Sequence, residues 1–65
     1  MENNIKEIRE QQGISQERLA ELSKLSVGYI CHLEKGSRKN PTYNTMIKIS
    51  KALNKAVGDV FRETL

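Results

Sequence analysis

Apolar positions recur along this chain at three- and four-residue intervals, the spacing that gathers side chains on one face of an α-helix. Ile5 and Ile8 form a first stripe, ended by Gly13, a residue free to take the left-handed backbone that stops a helix. Asn3 or Asn4 stands where an N-cap belongs, and Asn4 with Glu7 resembles a capping box. Leu19 and Leu22 predict a second helix at about 16–23, opened by Ser15; Ile30 and Leu33 predict a third at about 27–35, opened by Ser26 and closed by Gly36. Pro41 cannot lie in a helix interior, so 37–41 reads as a polar basic loop. Thr42 caps a fourth helix at about 43–53, with Met46, Ile49 (or Ile47) and Leu53 facing in. Asn54 and Lys55 form a turn, and a short fifth helix holds Val57, Val60 and Phe61. Nothing alternates as a strand would. The pattern predicts an all-α, five-helix domain spanning 1–65, with Ile5, Ile8, Leu19, Leu22, Leu25, Ile30, Leu33, Ile49, Leu53 and Phe61 in its core.

The second and third helices are separated by too few residues for a flexible loop, and Ala20 is small where one must cross the other. Two short helices joined in this way form a helix-turn-helix, whose second helix enters the DNA major groove. The run S-Q-E-R-L-A-E-L-S-K-L-S-V-G-Y-I-C-H-L-E-K-G, from Ser15 to Gly36, is similar to the Cro/C1-type (XRE-like) helix-turn-helix family of phage repressors and small bacterial regulators. N-P-T before the fourth helix and A-L-N at its end extend the likeness over nearly the whole chain. The resemblance implies a lambda-repressor-like fold and a DNA-binding transcriptional regulator, a repressor or autoregulator, that grips a two-fold symmetric operator as a homodimer. It also implies that Arg9 and Glu34 meet as an ion pair tying the first helix to the third. Lys24 stands where many members of the family carry glycine.

Length and charge sharpen this picture. A 65-residue chain buries only about 60% of its unfolded surface. With Cys31 as its only cysteine and His32 as its only histidine, it has neither a disulfide nor a metal cluster to help, which leaves dimerisation. The absence of a long apolar run argues against an export signal or a membrane span, and a cytoplasmic location is expected. The net charge of +3 is unevenly spread: 1–34 carry four bases and six acids, whereas 35–58 carry six bases and no acid. Lys48, Lys51 and Lys55 read as a solvated helix face. Lys35, Arg38 and Lys39 directly follow the presumed groove helix, where a phosphate backbone would run.

At about 100° per residue, Gly28, Cys31, His32 and Lys35 fall on the side of the third helix opposite Ile30 and Leu33, with Val27 at its tip. The family resemblance makes Val27, Gly28 and His32 the base readers, although Gly28 has no side chain to read with. It makes Gln16 a phosphate clamp at the start of the second helix. Ser37, Arg38, Lys39, Asn40 and Thr42 are expected to grip the backbone farther along. Tyr29 either gives its hydroxyl to a phosphate or covers core, and Cys31 reads as a small half-buried filler. Val57, Val60 and Phe61, with Leu65 beyond, supply more apolar side chains than one face of a short helix buries, and predict a C-terminal dimer interface.

A catalytic role lacks material: there is no Ser/His/Asp set, metal cluster or glycine-rich phosphate loop, and no cofactor or small-molecule ligand is expected. Double-stranded DNA is the expected partner, with a second copy of the chain and a possible partner protein. The alternative function is a protein-interaction module of the same fold, such as an antitoxin-like partner, with little DNA binding of its own.

Overall fold

The computed structural model describes residues 3–36 and 41–61. Five helices follow one another: α1 (Ile5–Gln11), α2 (Gln16–Ser23), α3 (Val27–Lys35), α4 (Tyr43–Leu53) and α5 (Val57–Val60). The longest has 11 residues, and helices this short are marginal alone. Their end chemistry and packing therefore carry them. Ser15, Ser26 and Thr42 have extended backbones, and their side-chain oxygens accept from the amides of Arg18 at 3.0 Å, Tyr29 at 3.1 Å and Thr45 at 3.2 Å. At α1 the carbonyl of the Asn3 side chain takes this role, accepting from the Ile5 amide at 3.1 Å. Asn4 caps nothing with its side chain and donates instead to the Asp59 carbonyl at 3.0 Å, so the expected Asn4–Glu7 box does not form.

The chain takes a left-handed turn at Gly13, Lys24, Gly36 and Asn54, with φ of 71°, 60°, 80° and 59°. Gly and Asn tolerate that region, whereas Lys24 carries a strain of about 1 kcal/mol there. The reading of Lys24 as a glycine-like turn position is thus met by its backbone.

The core contains Ile5, Ile8, Leu19, Ala20, Ile30, Leu33, Ile49, Leu53, Val60 and Phe61. α2 packs against both α3 and α4, and α5 against α4. Polar ties close the bundle. The Asn4 amide donates to the Val60 carbonyl at 2.7 Å beside an isolated bridge between Asn3 and Phe61. Side-chain amides reach carbonyls in the last turns of other helices, Asn3 to Leu33 at 2.9 Å and Gln12 to Leu53 at 2.7 Å. Carbonyls in a last helical turn lack the amides of a following turn, and the Leu33 carbonyl also accepts from the Gly36 amide at 3.2 Å. No strand occurs among the described residues beyond that one bridge.

Two expectations about the core need correction. Leu22 is 42% exposed. The buried face of α2 is set by Leu19, Ala20 and Ser23, whose mean direction lies about 110° from Leu22 at 100° per residue. Leu25 is only half-buried, packed against the core from outside.

One buried polar atom stands out. Ser23 Oγ donates to the Leu19 carbonyl at 2.7 Å, but Ser50 Oγ, in a residue 2% exposed, makes no hydrogen bond among the described residues. A buried hydroxyl without a partner is destabilising, and alanine fits the same space. Ser50→Ala is expected to stabilise the fold by about 1 kcal/mol in urea denaturation; a loss of stability would mean that the hydroxyl does have a partner.

Candidate nucleic-acid interface

α3 is anchored on one side only. Ile30 is 0% and Leu33 is 1% exposed, and at the end of the same helix Glu34 is drawn inward by three donors. Arg9 Nε reaches Glu34 Oε2 at 2.8 Å, Arg9 Nη2 reaches Oε1 at 3.3 Å, and Gln16 Nε2 reaches Oε1 at 2.9 Å. Arg9 Nη1 then donates to the Ile14 carbonyl at 2.9 Å. The two charged side chains are 10% and 4% exposed. The hydrogen bond that Arg9 donates to Glu34 outweighs the opposing effect of burial and raises the Arg9 pKa further above its already high usual value, so the guanidinium stays charged. The pair joins α1, the loop that follows it, the first turn of α2 and the end of α3.

The opposite side of α3 is open. Val27 at its tip is 41% exposed, and Gly28, His32 and Lys35 are exposed, with Cys31 half-buried between them. Gly28 has no structural reason to be glycine: its backbone is ordinary helix, and a Cβ there would meet nothing within 4 Å. Glycine in a helix costs about 1 kcal/mol relative to alanine. The chain therefore gives up stability at this point of the outer face, leaving backbone accessible where a side chain would stand. The result is a short exposed ridge with a bare patch, flanked by an apolar tip and an imidazole.

The other expected contact residues are placed in different ways. Gln16 is half-buried with its amide tied to Glu34, so at least one of its donors points into the fold. The Thr42 hydroxyl is engaged with Thr45, accepting from its amide and donating to its Oγ1 at 3.0 Å. Tyr29 is half-buried and its ring packs against the core. Ser37, Arg38, Lys39 and Asn40 lie outside the described residues, as does Leu65. The expected dimer surface needs correction: Val60 is 0% and Phe61 3% exposed, both within the protomer's own core, and Val57 packs half-buried against it. The four-residue α5 is too short to present a second face, and the pairing of Asn3 with Phe61 turns its end inward. Tyr43, the first residue of α4, is 67% exposed beside Thr42.

Among the described residues there is no group of His, Cys, Asp and Glu side chains able to hold a metal, and no helix is long and apolar enough to cross a membrane.

Two capped helices joined by a tight left-handed turn, the second anchored inward and open outward, define a helix-turn-helix protein. A helix-turn-helix family model matches residues 5–60, and the chain belongs to that family, of the Cro/C1 type. Among solved structures it is similar to the restriction-modification controller protein C.AhdI from Aeromonas hydrophila, at 34% identity over 89% of this chain and 86% of that one, with a TM-score of 0.84. It is also similar to the clp gene regulator ClgR from C. glutamicum, at 29% identity over 85% of this chain and 70% of that one, with a TM-score of 0.77. No curated protein matches it in sequence.

Three substitutions test this arrangement, with Glu21 on α2 as the exposed reference. Glu34→Ala leaves a buried guanidinium without its partner and is expected to cost about 3–5 kcal/mol in urea denaturation. Glu21→Ala breaks the exposed Arg18–Glu21 pair (2.7 Å) and is expected to change stability by no more than about 0.5 kcal/mol. On the outer side, Gly28→Ala is expected to raise stability by about 1 kcal/mol; a destabilised variant would mean that the space beside Gly28 is not open.

Proposed function

We propose that the chain is a DNA-binding transcriptional regulator, a repressor or autoregulator, whose α3 lies in the major groove of a two-fold symmetric operator bound by a homodimer. The observation that carries this reading is the bare Gly28 between the exposed Val27 and His32, on a helix whose opposite side is locked to the core. A backbone with no side chain can approach base edges closely. Val27 offers an apolar surface to a thymine methyl, and the His32 imidazole reaches a purine N7 or guanine O6. The similar structures are a restriction-modification controller and a gene regulator, which supports the same class of function here.

In this reading the exposed Lys35 and the first turns of α2 and α4, with Gln16, Thr42 and the nearby Tyr29, meet phosphates. So do Ser37, Arg38, Lys39 and Asn40, which bring the local excess of bases. With Val60 and Phe61 buried, the dimer contact at the C-terminal end would rest on Val57 and on Leu65. The whole of 1–65 acts as one domain, in the cytoplasm, with no catalytic activity or small-molecule ligand.

Selection from a random duplex pool supplies the operator, and isotherms at two salt concentrations then test the assignments. His32→Ala is expected to cost about 1–3 kcal/mol on the operator and little on random DNA. Lys39→Ala is expected to weaken both about equally and to lower the salt slope by about one. Gly28→Ala, though more stable, is expected to bind the operator at least tenfold more weakly. Unchanged operator affinity in both His32→Ala and Gly28→Ala would remove α3 from the interface.

A further inference from the structure

Away from the outer face of α3, a groove of about 390 Å³ runs between the end of α2 and the second half of α4, lined by Leu22, Ser23, Lys24, Lys48, Lys51 and Ala52. Three observations meet there. Leu22 is one of three large apolar side chains left exposed among the described residues, and it lies in the wall of this groove rather than in the core. Lys24 holds a left-handed backbone, which the chain elsewhere gives to Gly13, Gly36 and Asn54. A lysine is therefore kept at a turn where its side chain adds strain and does nothing for packing. Finally, three of the six lining residues are lysines and none is acidic, while the ion pairs among the described residues are Arg9–Glu34 and Arg18–Glu21. Lys24, Lys48 and Lys51 thus surround an apolar floor with no carboxylate to answer them.

We propose that this groove docks an acidic amphipathic segment of a partner protein, with an aliphatic or aromatic anchor on Leu22 and Ala52 and flanking carboxylates on Lys24, Lys48 and Lys51. The charge is complementary only to an anionic partner, and the apolar floor distinguishes a peptide from a phosphate backbone, which has no apolar group to lay on Leu22. None of these residues belongs to the outer face of α3, so the surface stands independently of the DNA reading and leaves that face free.

The test is an NMR titration of the ¹⁵N-labelled full chain with a synthetic peptide of Asp and Glu residues around a Leu-Phe anchor, alongside the same peptide with the anchor changed to Ser-Ser. Saturable shifts at the amides of Leu22, Ser23, Lys24 and Ala52, with at least tenfold weaker binding of the Ser-Ser peptide, are expected. Lys24→Gly should raise the thermal midpoint while weakening the Leu-Phe peptide at least threefold, which separates lost binding from lost folding. Lys48→Ala/Lys51→Ala should weaken it further. Equal binding of the two peptides, shifts centred outside the groove, or unchanged affinity in both lysine variants would overturn the proposal. So would groove shifts that appear with duplex DNA, or on raising the concentration of the chain alone, which would assign the groove to phosphates or to a second copy.

Discussion

A guanidinium and a carboxylate, both nearly out of water, hold the first three helices in one register. Removing such charges from solvent costs several kcal/mol per ion, and their mutual attraction offsets this only where the geometry is good and the remaining donors and acceptors are met. Both conditions hold here. The contact between Arg9 and Glu34 has two hydrogen bonds, the third nitrogen of Arg9 is satisfied by the Ile14 carbonyl, and Glu34 accepts again from Gln16. Every group that could drift is tied to a different segment. The position of Glu34 along α3 is therefore set from two sides, by Arg9 of α1 and Gln16 of α2, and with it the rotation of α3 about its axis.

That rotation decides what the outside of the molecule presents. Ile30 and Leu33 sit on one side of α3 with Glu34 beside them, so Gly28 and His32 are turned outward by the same constraint. The helices are too short to hold themselves, and the ends do much of the work. Hydroxyl caps open α2, α3 and α4, left-handed residues close them, and Asn3 and Gln12 reach across to terminal carbonyls of other helices. A fold built from end chemistry leaves few of its surface side chains with structural duties. Where such a side chain is nonetheless costly to keep, as with Lys24, or absent at a cost, as with Gly28, binding is the natural explanation.

The helices were legible because caps, stops and spacing agreed at each one: Ser15, Ser26 and Thr42 open helices where the apolar stripes begin, and Gly36 and Asn54 close them. The apolar pairs of α2 and α3 were placed by spacing alone, and this succeeded for Ile30, Leu33 and Leu19 but failed for Leu22. A three-residue step fits either edge of a stripe, and only the neighbouring Ala20 and Ser23 show which edge is buried; small residues carry little hydrophobic signal. Val60 was assigned to a surface, and Phe61 to both core and surface, because the chain end that meets them, Asn3 and Asn4, lies more than fifty positions away, a proximity no local pattern reveals. The same distance hid the role of the Asn4 side chain. The outer face of α3 was readable from angle alone, but the open space at Gly28 and the lysine-rimmed groove were not, since both are properties of what fails to pack nearby.

The central claim is that anchoring α3 from within leaves its outer face to meet DNA. The most direct test is an amide shift map of the ¹⁵N-labelled chain titrated with a 20-base-pair duplex at low salt. The account predicts that the largest changes fall at Val27, Gly28, His32 and Lys35, and that they shrink steeply as salt is raised. Changes centred on the exposed residues of α1, Lys6, Glu7 and Glu10, or no saturable change at all, would contradict it.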